Sequence, residues 1–272
     1  MSQTTAAPRS PAPGDVALIT GGTGGFGRAL AGKLRDREVT VVLADLDSER
    51  ARQTAADLGA HFVVLDVTDR EANEAVVAQV EAEHGRLDAA FLNAGISAAK
   101  SDDALDMEEF MRVVAVDLFG VVYGVEAARP ALRRAGGGSV VVTASLAGLS
   151  PMATDPGYSV AKGGAVAFVR SMAPRLAAEG ITISAICPGF ADTAIIDRIR
   201  DQFEAASFPV LPAGEVADAM ITAWSSAEPG AAYVVQPGVG MVPYRFRGVP
   251  AAKTASGDTA VVPEALRPPS MR

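Results

Sequence analysis

Short apolar runs rich in Val, Ile and Leu alternate along the chain with longer segments whose apolar residues recur at helical spacing. The runs are VALIT at 16–20, VTVVLA at 39–44, HFVVLDV at 61–67, LDAAFL at 87–92, SVVVTA at 139–144, ITISAIC at 181–187 and AAYVVQ at 231–236. Runs without sustained polar alternation suit strands covered on both faces, and parallel strands with helical crossovers are buried in that way. The pattern predicts an α/β fold: a doubly wound, seven-stranded parallel sheet with helices on both faces. Asp47 and Asp69 stand where helix N-caps belong, and Gly59, Gly85 and Gly180 follow periodic segments as C-terminal stops.

The rhythm is regular through residue 187 and then changes. Residues 188–213 mix Pro188, Gly189, Phe208, Pro209 and Pro212 with the amphipathic patch IIDRIRDQF. This predicts a lid at about 190–213 over a site, with a plain surface excursion as the alternative. The Pro- and Ala-rich residues 1–14 are expected to be a disordered segment. The catalytic domain is expected over 15–236, and the Pro- and Gly-rich residues 237–272 as an irregular tail.

With 272 residues, 49% of them hydrophobic, the chain can bury one large core. Its net charge of -8 argues against nucleic acid and anionic membranes as partners, leaving a small molecule. There is no apolar signal-peptide core in the opening residues and no run of about 18 apolar residues to span a bilayer, so a cytoplasmic protein is expected. Cys187 is the single cysteine, and with only His61 and His84 no metal cluster is expected; all three are assigned to structure.

Chemistry enters directly after the first strand, in the turn Thr20-Gly21-Gly22-Thr23-Gly24-Gly25-Phe26-Gly27 that leads into an apolar-periodic helix. A sharp strand-to-helix turn needs residues without a Cβ clash, and backbone N–H groups at the helix start can then approach a pyrophosphate. Gly21, Gly25 and Gly27 are the candidate cradle, and Thr23 and Phe26 are counted with them. Asp45 closes the second strand where a carboxylate would accept hydrogen bonds from the adenosine ribose; a helix cap is the alternative. Since Leu46 brings no cation, the carboxylate would repel a 2′-phosphate, which favours NAD over NADP. Asp66 and Val67, after the third strand, are candidates for holding adenine, Asp66 equally a loop or capping residue.

Tyr158 and Lys162, four residues apart, share one face of a helix. A free phenol has a pKa of about 10, and a neighbouring ammonium favours its ionised form, so the pair can take a proton from an alcohol. Ser145, just past the fifth strand, lies at the carboxyl edge of the sheet, where such folds bind ligands.

In these motifs the chain resembles the short-chain dehydrogenase/reductase family, compact and Rossmann-like, over roughly residues 14–236. The matches are TGxxxGxG as Thr20 to Gly27, NAG as Asn93-Ala94-Gly95, the serine as Ser145, YxxxK as Tyr158 to Lys162, and the PG turn as Pro188-Gly189. The resemblance implies that Tyr158 is the general acid/base, that Lys162 lowers its pKa and binds the nicotinamide ribose, and that Ser145 polarises the reacting oxygen. It also implies cofactor contacts for Asn93, Gly95, Pro188, Gly189, Phe190 and Thr193, and a homodimer or homotetramer. Asp117 departs from the pattern, because the family has an asparagine there that holds a water in a proton relay from the lysine. Aspartate is expected to keep the relay with an altered pH optimum.

The expected activity is NAD(H)-dependent interconversion of a hydrophobic secondary alcohol and its ketone, leaning toward oxidation. The candidate pocket segments 96–100, 146–154 and 194–211 contribute Leu146, Leu149, Met152, Ile195, Ile196, Phe203 and Phe208, most of it apolar. The alternatives are a catalytically silent NAD-binding sensor or scaffold, and a lyase or epimerase of the same family.

Overall fold

A computed structural model describes residues 9–98, 105–226, 228–261 and 263. The seven apolar runs form β1 (Val16–Thr20), β2 (Thr40–Asp45), β3 (His61–Val64), β4 (Ala89–Leu92), β5 (Gly138–Thr143), β6 (Ile181–Pro188) and β7 (Ala232–Gln236). They lie in the order β3-β2-β1-β4-β5-β6-β7, all parallel. Strand order reverses at β1, whose neighbours β2 and β4 lead away in opposite directions, opening a crevice beyond the carboxyl ends of the strands.

One expectation is corrected: the sheet has eight strands. Residues 237–272 are not uniformly irregular, because β8 (Gly240–Pro243) pairs antiparallel with β7. Gly238 and Gly240 take positive φ values of 72° and 75°, closing a hairpin too tight for a crossover. Residues 9–14 are corrected as well. Arg9 binds Asp15 at 2.7 Å and the buried Asp88 at 2.6 Å, which fastens the opening segment to the amino edge of the sheet. Residues 1–8 and most of 262–272 lie outside the described residues.

Helices cover both faces. On one side α1 (Gly25–Arg35), α2 (Glu49–Asp57) and α8 (Ala213–Trp224) bury Leu30, Leu34, Ala55, Val216, Met220 and Trp224 against Ile19, Leu43 and Phe91. On the other, α3 (Arg70–His84), α5 (Gly120–Arg134) and α6 (Pro156–Ala177) bury Val76, Val80, Val125, Val169 and Leu176 against Leu18, Val42 and Val140. Each such large side chain contributes about 1.5–3 kcal/mol relative to exposure. Asp69 caps α3 through the Ala72 amide, as expected, and Gly85 ends that helix with φ 79°. Ser48, not Asp47, caps α2, and Asp47 instead pairs with Arg52.

Two irregular stretches shape the carboxyl edge. Between α4 (Met107–Val114) and α5, residues Ala115–Phe119 widen into a π-helical turn that sends Asp117 inward. Between β6 and α8 the expected lid folds as a 3-10 segment, Ala194–Ile199, followed by α7 (Arg200–Ala205). Its two ends meet in a bridge between Ala191 and Leu211, and the Phe190, Phe203 and Phe208 rings cluster in tilted and edge-to-face contacts with centroid distances of 4.7 to 5.9 Å.

Candidate active site

Gly21 adopts φ 59°, and a Cβ there would lie 2.8 Å from the Ala94 Cα. A Cβ on Gly27 would meet the Gly21 and Gly22 carbonyl oxygens at 2.6 Å, so the start of α1 presses on the turn as no larger residue could. No side chain caps α1, unlike α2, α3, α4 and α6, which are capped by Ser48, Asp69, Asp106 and Asp155. Its first N–H groups therefore lack a side-chain cap, with the positive end of the helix dipole behind them. Phe26 turns away to pack on the core beneath, and Thr193, just before the 3-10 segment, lies against Gly25, with its Cγ2 3.0 Å from where a Cβ would stand.

Asp45 ends β2 beside this turn, where its Oδ2 accepts from the Thr23 amide at 3.0 Å and hydroxyl at 2.6 Å. Its Oδ1 accepts from the Leu46 amide at 2.9 Å. A carboxylate offers about four lone-pair sites, so it keeps capacity for a ribose hydroxyl. Asn93 is a staple between strands: its Nδ2 donates to the Thr20 and Gly21 carbonyls at 3.1 Å, and its Oδ1 accepts from the Thr143 hydroxyl at 3.1 Å. Asp66 accepts from the Thr68 amide and hydroxyl within its own turn, and Val67 is buried beneath Gly120 with its carbonyl bonded to Asn73. Gly189, after the buried Pro188, leaves room for the Gln236 carboxamide, and Phe190 beside it is 40% exposed.

Tyr158, Lys162 and Ser145 meet at the same edge. Tyr158 and Lys162 lie one turn apart on α6, both buried, and the Lys162 Nζ stands 5.5 Å from the Tyr158 ring centroid. That Nζ donates to the Thr143 carbonyl at 2.8 Å and faces the Asp117 Oδ2 at 3.1 Å. The Asp117 contact is an ion pair without the alignment of a hydrogen bond, which leaves Oδ2 with unused accepting capacity. Oδ1 of Asp117 accepts from the Ile96 amide at 2.8 Å. Gly95 is what admits this pair, since a Cβ there would sit 2.9 Å from the Asp117 Oδ2 and 3.1 Å from the Lys162 Nζ. Gly95→Ala is expected to cost about 1–3 kcal/mol through overpacking. Urea unfolding checks this, and wild-type stability would mean that the pair yields freely.

Burial pushes the Tyr158 phenol up from its ordinary value; Lys162 pulls it down, Asp117 pushes it up, and hydrogen bonding to the Ser145 hydroxyl pulls it down. Burial would lower Lys162, but Asp117 and Tyr158 outweigh it and hold the ammonium above its usual range. Asp117 is pushed up by burial and drawn back by the ammonium it faces, so the two groups titrate as one unit. Ser145 starts a 3-10 turn, its Oγ accepting from the Ala147 amide at 3.1 Å. Burial drives the Cys187 thiol up to about 12, consistent with an inert packing residue. His61 and His84 face each other at 4.5 Å at the opposite edge of the sheet.

An apolar cluster surrounds the phenol: Val113, Val114, Ala147 and Ala161, with Ile96, Ala98, Phe110 and Met152 packed against it. Of the expected pocket residues, Met152 belongs here. Leu149 packs on the core, Ile196 is buried within the 190–213 segment, and Phe203 and Phe208 line a cavity of about 310 Å³ in that segment with Asp192 and Arg200. Lys100 lies outside the described residues. A larger cavity of about 580 Å³, between α8 and the β7–β8 hairpin, is lined by none of Asp117, Ser145, Tyr158 and Lys162. Sequence reasoning missed the Thr143 carbonyl, which carries no side-chain signal, and Asp155, whose place before Pro156 and Tyr158 has the form of an N-cap. Among the described residues no helix is long and apolar enough to cross a membrane, and no group of three or more His, Cys, Asp or Glu could hold a metal.

A family model described as short chain dehydrogenase matches residues 15–204. The chain is 35% identical over 208 residues to cis-4-hydroxycyclohexanecarboxylate dehydrogenase of Sinomonas cyclohexanicum, covering 74% of this chain and 83% of that protein. It is likewise 35% identical over 197 residues to levodione reductase of Leifsonia aquatica, covering 70% of this chain and 74% of the relative. A crystal structure of levodione reductase superposes with a TM-score of 0.76 at 30% identity, covering 84% of this chain and 98% of that one.

Proposed function

The chain belongs to the short-chain dehydrogenase family, an oxidoreductase family that works with nicotinamide cofactors, and from that premise we propose that it interconverts a hydrophobic secondary alcohol and its ketone with NAD(H). The observation that carries this reading is the meeting of Tyr158, Lys162 and Ser145 at the sheet edge that also holds the glycine turn.

The residues fit a dinucleotide. Positions 21 and 27 leave no room for a side chain and the start of α1 is uncapped, as an anion cradle requires. Gly21, Thr23, Gly25 and Gly27 would hold the pyrophosphate; Asp45, Asp66 and Val67 the adenosine; Asn93, Gly95, Pro188, Gly189, Phe190 and Thr193 the nicotinamide half. Tyr158 and Lys162 would add contacts to its ribose. When bound, the nicotinamide accepts or supplies the hydride.

Tyr158 moves the proton: its phenolate takes one from the alcohol oxygen in oxidation, and its phenol returns one to the ketone oxygen in reduction. Ser145 holds and polarises that oxygen, and Lys162 supplies the positive charge that favours the phenolate. Asp117 fixes the ammonium beneath the phenol, and its spare accepting capacity suits a water through which the proton leaves. The apolar lining around Tyr158 suits a hydrocarbon ring, in keeping with the cyclohexane ring in the name of one relative. The lid over residues 190–213, a homodimer or homotetramer, and a cytoplasmic site of action with oxidation favoured complete the proposal.

NAD preference rests on Asp45, whose charge opposes a 2′-phosphate, while the neighbouring Leu46 is 61% exposed and brings no cation. For Asp45→Ser the NADP-to-NAD ratio of kcat/KM is expected to rise about 10- to 100-fold, as relief of a like-charge contact implies. Steady-state kinetics with both cofactors measures this, and an unchanged ratio removes Asp45 from cofactor choice. Ultraviolet detection of NADH across a panel of cyclic and acyclic secondary alcohols tests the activity itself.

A further inference from the structure

We propose that Asp155 is a positioning residue that locks the pocket wall at residues 96–98 to the helical turn carrying Tyr158, so that wall and base keep one register. The inference builds on the proposed reaction, because residues 96–98 are a substrate wall only if Tyr158 is the base.

Asp155 is buried at the N-terminus of α6, and each of its oxygens has a separate task. Oδ1 accepts from the Tyr158 amide at 2.9 Å, the ordinary capping bond. Oδ2 accepts from the Ser97 hydroxyl at 2.8 Å and the Ala98 amide at 2.9 Å, reaching a segment 57 and 58 residues away. A cap alone needs one oxygen, and serine, threonine or asparagine would provide it. Two amide donors and a hydroxyl converging from two chain segments need a group that accepts on both sides, which is an ionised carboxylate. Asparagine would turn an N–H toward the Ala98 N–H.

The neighbouring bonds extend the tie. The Asp155 amide donates to the Met152 carbonyl at 3.2 Å, and the Ser159 hydroxyl accepts from the Met152 amide at 2.8 Å, so the second wall is fastened to the same turn. On its other side the 96–98 segment is held by Asp117 through the Ile96 amide. Two buried carboxylates thus bracket three residues, one touching the backbone of the base and the other facing its lysine. Ile96, Ala98 and Met152 pack in one cluster with Tyr158, so a slip of the wall changes the space beside the phenol.

The test uses the full chain with Asp155→Ser, which keeps a capping oxygen but lacks the second one, and Ser97→Ala, which leaves the cap intact. Hydrogen exchange at the Ala98 amide is expected to accelerate about tenfold or more in Asp155→Ser, as loss of a charge-assisted bond implies, with α6 amides still protected. The KM for a cyclic secondary alcohol is expected to rise about fivefold more than that for propan-2-ol, with Ser97→Ala shifting the same ratio in the same direction by a smaller factor. Ala98 exchange at the wild-type rate, or equal KM changes for the two alcohols, overturns the proposal. The exchange measurement does not depend on turnover: a wild-type chain that oxidises no alcohol defeats the proposed reaction, and Ala98 protection then still decides whether Asp155 ties the wall.

Discussion

Replacing Tyr158 by phenylalanine is expected to lower kcat/KM about 10²- to 10⁴-fold, the range that positioned acid–base groups contribute, while NADH binding followed by fluorescence changes only a few-fold. The ring keeps its packing among Val113, Val114, Ala147 and Ala161, so the loss falls on the proton and not on the pocket. The sign of the pH dependence follows from the surroundings. Burial raises the phenol, the facing ammonium lowers it, and Asp117 raises it, with a net shift upward in the chain without cofactor. Below that value the phenol is protonated and ready to donate, so ketone reduction is favoured at low pH. Alcohol oxidation needs the phenolate, and its kcat/KM is expected to climb as pH rises. Steady-state oxidation rates across pH check this; a climb that survives in Tyr158→Phe would assign the proton to another group.

The second large effect is expected at Asp117. In Asp117→Leu the Lys162 ammonium loses the partner facing it at 3.1 Å in a fully buried site. Removing one member of such a pair typically costs about 3–5 kcal/mol, because a buried charge is left uncompensated. Urea unfolding measures that loss, and wild-type stability would mean that the pair contributes nothing net. Asp117→Asn separates electrostatics from packing, since its carbonyl oxygen still accepts from the Ile96 amide. Aspartate's negative charge raises the phenol, so its removal, with Lys162 still cationic, favours phenolate. The rising limb of the oxidation profile is then expected to move to lower pH, and an unmoved limb with an unchanged rate takes Asp117 out of the mechanism.

What the sequence disclosed depended on whether a residue's role leaves a periodic or local trace. Seven strands were legible because runs such as Val16–Thr20, whose positions are all buried, stay largely apolar. The eighth was not: Gly240–Pro243 is a short edge strand, mostly exposed, whose glycine and proline read as loop. The glycine turn and the Tyr158–Lys162 pair follow from spacing and chemistry. Asn93 and Thr193 have no such trace and entered through family resemblance. The structure gives Asn93 work as a staple across β1, β4 and β5, which no one-dimensional pattern encodes. Asp155 had a readable cap signal, but the partners of its second oxygen, Ser97 and Ala98, are brought to it only by the fold. Residues 9–14 misled through composition, because Arg9 is held by Asp15 and Asp88 in spite of its proline-rich surroundings.

The most direct test of the account is NADH formation by the purified chain given NAD and a panel of secondary alcohols weighted toward cyclohexanols. Turnover of at least one cyclic alcohol, with NAD preferred over NADP, is the predicted result. Tight NADH binding without turnover of any alcohol or of the matching ketones would contradict it, and would leave a nucleotide-binding protein that senses or scaffolds rather than an enzyme.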